Sequence, residues 1–141
     1  LADPRPGNLN SIAPGKARGS NMVPTLVLKN NKPVIICGAP GGAVIVSAVF
    51  QSILNTINYN MTPTEAVSAP RIHTESGKVF LEARIRSDYK EKLEELGFDV
   101  VQEQFPYNPM MARAQLIAID EKSGELSGGS DPRGGGVVYK V

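Results

Sequence analysis

The residues with the clearest chemical potential lie together in Cys37-Gly38-Ala39-Pro40-Gly41-Gly42-Ala43. The apolar run Val34-Ile35-Ile36-Cys37 before them reads as a buried strand, and an apolar helical pattern follows. A glycine-rich turn between a strand and a helix aims free backbone N–H groups, backed by the helix dipole, at any anion above it. Adjacent glycines let a substrate reach the main chain without a Cβ in the way. Three readings are open: a phosphate cradle, an oxyanion hole, and a tight turn with no ligand. A phosphate-binding P-loop ends in Gly-Lys-Ser/Thr, whereas Ala43-Val44 follow here. An oxyanion hole for acyl transfer asks only for two well-placed N–H donors.

Arg133, between Pro132 and Gly134-Gly135-Gly136, is a second candidate. Its planar fork suits it to hold a substrate carboxylate or to brace a nucleophile. The alternative is a structural ion pair with Asp131 or another acid. Arg5, Lys16, Arg18, Arg71, Arg113 and Arg133 all fall in or beside expected loops. If they converge they form an electropositive groove, and otherwise they are scattered solvated charges. Arg71 and His73 are placed in a loop after the second helix and given no catalytic role. His73, the only histidine, has no paired cysteine or second ligand, so no metal site is expected. The lone Cys37 permits no internal disulfide and reads as a buried small hydrophobe, not a nucleophile. Met110 and Met111 either line a pocket or fill a gap.

The elements that must position these groups follow from the pattern. The 141 residues are 41% hydrophobic and 21% charged with a net charge of +1, which argues against disorder and gives no signal for nucleic acid. The uncharged stretch 33–64 is long, but Gly38, Pro40, Gly41 and Gly42 break it early and Gln51, Asn55, Asn58 and Asn60 load its second half, so no membrane span is expected. The first 24 residues, rich in Pro, Gly, Asn and Ser, read as extended loop, and 25–141 as a layered core. Strands are expected at 25–29 and 33–38, joined as a hairpin by Asn30-Asn31. Ile45, Val49, Ile53 and Ile57 recur every four residues and mark a helix. Thr62-Pro63-Thr64-Glu65 starts a second, short helix that Pro70 stops. A strand at 79–82 and a charged helix at 87–96, with Leu93 and Leu96 inward and Gly97 at its end, come next. Strands at 99–104, 114–120 and 137–140, and a short one at 125–126, complete an α+β chain with grouped strands and helices.

The combination of motifs carries a resemblance. Ser20-Asn21-Met22-Val23-Pro24-Thr25, then a hairpin, then Gly38-Ala39-Pro40-Gly41-Gly42, resembles the paired signature of the γ-glutamyltransferases. That family shows Ser-Ser-Met-x-Pro-Thr followed by Gly-Ser-Pro-Gly-Gly. The likeness extends to Asn10-x-Ile12-x-Pro14-Gly15-Lys16, Ala69-Pro70-Arg71-Ile72-His73 and Asp131-Pro132-Arg133, five motifs in order over nearly the whole chain. Within the family it looks most like the branch that processes poly-γ-glutamate capsule.

The resemblance implies the C-terminal part of a small subunit with the αββα sandwich of N-terminal-nucleophile hydrolases, made by self-cleavage of a precursor. The nucleophile would be an N-terminal threonine, expected upstream of Leu1, whose own α-amino group can serve as base. Partners would be the large subunit and the upstream part of the small subunit. The substrate would be a γ-glutamyl amide, with poly-γ-glutamate in the lead, ahead of glutathione-like peptides or a glutaryl-type acyl amide. A non-catalytic scaffold that kept the fold is the alternative of another class. Carried over residue by residue, Gly41 and Gly42 match the oxyanion-hole glycines, and Ser20 and Asn21 fall where two serines hold the substrate α-carboxylate. Asn21 departs from serine, and Ala43-Val44 depart from the family's frequent Ser-Arg. No cofactor is implied, and the location expected from the family is extracytoplasmic.

Overall fold

The computed structural model describes residues 3–17 and 19–139. Its first strands, β1 (Thr25–Lys29) and β2 (Lys32–Gly38), form the expected hairpin. Asn30 and Asn31 both take positive φ (51° and 59°), the turn geometry whose twist matches that of the paired strands. β6 (Gln115–Ile119) pairs antiparallel with β2, and β7 (Leu126–Ser130) with β6, giving a four-stranded sheet in the order β1-β2-β6-β7. A second sheet holds β3 (Ile72–Glu75), β4 (Lys78–Leu81) and β5 (Asp99–Gln102), the last two parallel.

Helix α1 (Ile45–Tyr59) follows the glycine turn through a short 3-10 turn, Gly42–Val44. The helical stretch Gly42–Tyr59, the 3-10 turn together with α1, is long and apolar enough to cross a membrane by length and composition, yet Ile45 and Val49 pack with Ile35, Cys37, Val67, Ala114 and Leu116 into the core. Gln51 uses its side-chain amide as a surrogate strand, donating to the Ile72 carbonyl (2.7 Å) and accepting from the Ile72 N–H (3.0 Å). That double bond ties α1 to the edge of the second sheet.

Helix α2 (Pro63–Ser68) has the capping box read from the sequence: Thr62 Oγ1 accepts from the Glu65 N–H, and the Glu65 carboxylate accepts from the Thr62 N–H at 2.8 Å. Helix α3 (Ser87–Glu95) ends where expected, with the Gly97 N–H donating to Glu94 (2.9 Å) and the Phe98 N–H to Leu93 (3.1 Å), a Schellman closure. Leu93 is half-buried, but Leu96 stands 74% exposed and does not face inward, because it already lies in the C-cap.

Three other expectations change. Ile72–Glu75 is a strand and not loop, since β4 offers it a full antiparallel ladder. The short strand expected at 125–126 is the start of the longer β7. No strand forms at residues 137–139, and Lys140 lies outside the described residues.

The four-stranded sheet is covered on one face only. Strand alternation puts Ile35, Cys37 and Leu116 against the helices, and Leu26, Ile36 and Ile117, in mutual register, on the opposite face. Val138 extends that row by lying over Gly128, the partner of Ile117. All four of these apolar side chains are exposed.

The cap analysis gives a test. Hydrogen bonding by the Thr62 side chain, then by its backbone, holds the Glu65 carboxyl below the usual carboxylate range. A depressed folded pKa contributes stability above the unfolded value, which is lost as pH falls through the folded one. Thr62→Ala should therefore lower unfolding free energy by about 1 kcal/mol near neutrality. The deficit should shrink in acid, as read by urea titrations at several pH values.

Candidate active site

Register alone gathers the candidate residues. Thr25 faces Cys37, Gly38 faces Gln115, and Gln115 faces Ser130. The segments before β1, after β2, before β6 and after β7 thus emerge at one edge of the sheet. That edge holds the glycine turn, Ala112 and Arg113, and Asp131-Pro132-Arg133, and the segment carrying Ser20 and Asn21 leads into it through Thr25.

The turn itself is shaped by contact. Gly41 has φ 151° and ψ 13°, and a Cβ there would lie 2.6 Å from the Ala112 Cβ and 2.7 Å from its Cα. Only glycine fits. Gly42, at φ 69°, has nothing within 4 Å of where a Cβ would stand, so open space lies on that side of it. Neither amide donates to a backbone or side-chain acceptor among the described residues. The Pro40 carbonyl is taken by the Arg113 N–H at 3.1 Å, which clips the turn to the strand entering from the other side.

Ala112 is itself unusual. It is fully buried, with φ 62° and ψ 173°, a region that side-chain-bearing residues rarely enter and that costs about 1–3 kcal/mol. What holds it there is visible. Asn108 caps a 3-10 turn, Pro109–Met111, its side chain accepting from the Met110 N–H at 2.9 Å. Arg71 Nη1 then grips the carbonyls of Met111 (3.0 Å) and Ala112 (3.1 Å).

Arg71 belongs to a buried four-charge cluster with Asp131, Arg133 and Glu82. Arg71 Nη2 lies 2.6 Å from Asp131 Oδ2 and also donates to the Val67 carbonyl. Asp131 accepts from the Ala114 N–H (2.8 Å) and from the N–H and Nη1 of Arg133 (both 2.9 Å). Glu82 accepts from Arg133 Nε (2.6 Å) and Nη2, from the Arg71 N–H (2.9 Å) and from the Asn108 N–H (3.2 Å). The two buried charges of each sign cancel, and the half-buried Arg84 adds a further cation 3.7 Å from Glu82 Oε2. Burial, then repulsion from Arg133, lowers the Arg71 guanidinium from its ordinary value despite Asp131. Burial also opposes the charge on Arg133, but Glu82 and Asp131 outweigh it and the net shift is upward. The difference follows from contact number: two carboxylates face Arg133 closely, and one faces Arg71.

These positions revise parts of the sequence reading. Arg133 does not reach toward substrate: its five N–H donors go to Glu82 (two), Asp131, Val67 O and Ala69 O, and its side chain is wholly buried. It is a structural ion-pair residue. Among the described residues the basic groove does not form either, Arg113 being exposed apart from the buried arginines. Arg71 and Arg133 are internal, Arg5 is paired with Asp3, the Lys16 ammonium donates to Asn8 O and Ser11, and Arg18 lies outside the described residues. Ser20 is exposed, its hydroxyl accepting from the Met22 N–H at 3.2 Å, and Asn21 is half-buried beside it. His73 is buried with Nδ1 2.8 Å from Ser47 Oγ. Burial pushes the Cys37 thiol up to about 11, so it stays protonated and inert. Met111 fills the interior while Met110 is exposed. Sequence reasoning missed Glu82 and Ala112. The only available hint was an acid, Glu82, at the end of an apolar strand.

An antiparallel sheet backed by two helices, carrying a strand–Gly-Gly–helix turn with unspent amides at one edge, has the α+β architecture of N-terminal-nucleophile hydrolases. The whole-chain comparisons agree: residues 2–141 match the gamma-glutamyltranspeptidase family, and the chain belongs to it. It is 37% identical over 141 residues to a glutathione hydrolase proenzyme of Bacillus subtilis, covering 99% of this chain and 23% of that protein. The chain thus spans about a quarter of that relative's length. A Helicobacter pylori gamma-glutamyltranspeptidase structure superposes with a TM-score of 0.79 at 37% identity, covering 91% of this chain and 69% of the other. The transpeptidase CapD of Bacillus anthracis superposes with a TM-score of 0.76 at 22% identity, over 91% and 75% of the two chains, a likeness of fold.

The cluster predicts a specific failure. Arg133→Ala takes from buried Glu82 its close cation, leaving only Arg84 at 3.7 Å, and leaves Asp131 with Arg71 alone, and it should cost about 3–5 kcal/mol of unfolding free energy in the complete protein. Arg133→Lys should recover little of it, since an ammonium cannot meet the same acceptors in plane. Chemical denaturation of the three proteins side by side checks both.

Proposed function

We propose that this chain forms part of a self-processing threonine-nucleophile enzyme that hydrolyses or transfers γ-glutamyl amides, and that Gly41 and Gly42 supply its oxyanion hole. The observation that carries the reading is the pair of unspent amides at Gly41 and Gly42, with open space beside Gly42. Membership of the gamma-glutamyltranspeptidase family supports it. A threonine hydroxyl contributed from outside these residues attacks the amide carbonyl while its α-amino group takes the proton. The two glycine amides donate to the oxygen as negative charge develops, with no reorganisation needed at that moment. Collapse of the tetrahedral adduct expels the amine and leaves an acyl-enzyme, which water or a second amine resolves.

In this reading Ser20 and Asn21, in the segment leading into β1, hydrogen-bond the substrate α-carboxylate. The proposed partners are the upstream part of the small subunit, which would cover the bare apolar row Leu26, Ile36, Ile117 and Val138, and the large subunit of the same precursor. An extracytoplasmic setting completes the proposal.

Poly-γ-glutamate is the substrate favoured by the replacement of a second serine with Asn21, which alters the carboxylate contact used for a free γ-glutamyl group. A glutathione-type substrate is favoured by the 37% identity to a glutathione hydrolase proenzyme. Steady-state rates on the two substrates decide between them.

Two experiments test the reading. Mass spectrometry of the complete product should find cleavage exposing an N-terminal threonine, and an uncleaved precursor would overturn the enzymatic reading in favour of a retained scaffold. In the processed protein, Gly42→Ala sets its Cβ in open space but strains a main chain at φ 69°, which costs about 1–2 kcal/mol and leaves the fold standing while oxyanion approach is obstructed. We expect kcat to fall by about 10²–10³. An unchanged kcat would remove the oxyanion-hole assignment.

A further inference from the structure

The pair Gly41-Gly42 is flexible by composition, yet an oxyanion hole acts only when its donors are fixed before the charge appears. Flexibility in the glycines must therefore be removed by something outside them. Against the Cβ side of Gly41 stands one residue, Ala112, whose Cβ and Cα fill the space a side chain would take. Ala112 holds a backbone conformation suited to glycine, at φ 62° and ψ 173°. A glycine there would relieve the strain and remove the methyl, leaving only the Cα and N of residue 112 against Gly41. The alanine methyl is thus kept against backbone preference, pressed onto the turn.

The surroundings are built to keep it there. The Met111 and Ala112 carbonyls share Arg71 Nη1, Arg71 is fixed by Asp131, and Asp131 also accepts from the Ala114 N–H two residues on. The Arg113 N–H between them bonds the Pro40 carbonyl, the residue just before Gly41. The segment 111–114 is therefore held from below at three places and touches the turn from above at two.

We infer that Ala112 is a positioning residue for the reaction: held in a strained conformation by the buried charge cluster, its methyl sets the direction of the peptide groups at Gly41 and Gly42. The inference rests on the oxyanion-hole reading proposed above. It predicts a separation that a packing role does not. Replacing a strained alanine with glycine at positive φ relieves strain in the native state, so the folded protein keeps its melting temperature or gains a little. The turn loses the methyl part of its wall, and a freer residue 112 holds the remaining backbone contact less firmly, so donor alignment, and with it the chemical step, suffers.

The test uses the complete, self-processed protein with a chromogenic γ-glutamyl anilide. Ala112→Gly should lower kcat by about tenfold to a hundredfold, in the range that misplacement by about an ångström produces, with KM within about twofold of wild type. Its melting temperature should be equal or higher. Ala112→Ser, which keeps a Cβ against Gly41, should recover most of the lost kcat. An Ala112→Gly protein with wild-type kcat overturns the inference, and so does a fall in kcat matched by loss of melting temperature, which would mark a packing role. Gly42→Ala measured alongside separates the two levels. A large loss there with no loss in Ala112→Gly defeats this inference alone, whereas no loss in Gly42→Ala defeats the reading beneath it.

Discussion

Arg71, Glu82, Asp131 and Arg133 form the one interaction on which the rest of the structure turns. The four-stranded and three-stranded sheets share no ladder, so something other than strand pairing must fix one relative to the other. The cluster does so. Arg133, just beyond β7, reaches Glu82, just beyond β4, and the carbonyls of Val67 and Ala69 at the end of α2. Arg71 enters β3 and takes hold of the segment leading into β6. Taking four charges out of water costs several kcal/mol per ion before their mutual attraction returns it, and an apolar replacement of equal volume can be as stable. What an apolar replacement cannot do is grip carbonyls in fixed directions. The guanidinium groups use most of their donors on main-chain oxygen and carboxylates that are themselves bonded to main-chain N–H, so the cluster specifies backbone position more than it adds stability.

That role explains why Arg133 could be mistaken for a substrate ligand. An arginine flanked by Asp131-Pro132 and three glycines has the look of an exposed, mobile cation beside a site. It does follow β7 at the edge that carries the glycine turn. Its direction is inward, because Glu82, remote in sequence, waits there with both oxygens already drawing N–H groups from Arg71 and Asn108. No pattern in 141 residues announces such a pairing, since the acid and the base sit on different sheets. The same holds for β3. Ile72–Glu75 follows Pro70 and is too short to carry a periodic signal of its own, and it becomes a strand only because β4 and Gln51 supply partners.

The legible parts were those whose cause is local. Two asparagines able to take positive φ made the hairpin, a reciprocal Thr62–Glu65 exchange started α2, and Gly97 closed α3. The strand–Gly-Gly–helix turn was also plain, because a turn of this kind is set by main-chain geometry and needs only the right residues in order. β7 shows the limit. Leu126-Ser127-Gly128-Gly129-Ser130 has poor strand propensity, and its glycine at 129 is explained by the backbone of Pro63, which packs where a Cβ would be. Tertiary contact chose that residue, and propensity pointed away from the strand it lies in.

A turn that stabilises negative charge faces two opposed demands. Its amides must be left without internal partners, and glycine must be used so that substrate can approach, yet both choices loosen the main chain. The structure resolves the conflict by placing order one layer beneath. Charges that would be costly alone are satisfied by one another, and their remaining donors fix the Met111 and Ala112 carbonyls. Ala112 in turn occupies the Cβ side of Gly41, and the Arg113 N–H holds the Pro40 carbonyl just before it. Order thus reaches the turn through a packing contact and one hydrogen bond to the residue ahead of it, neither of which draws on the Gly41 or Gly42 N–H.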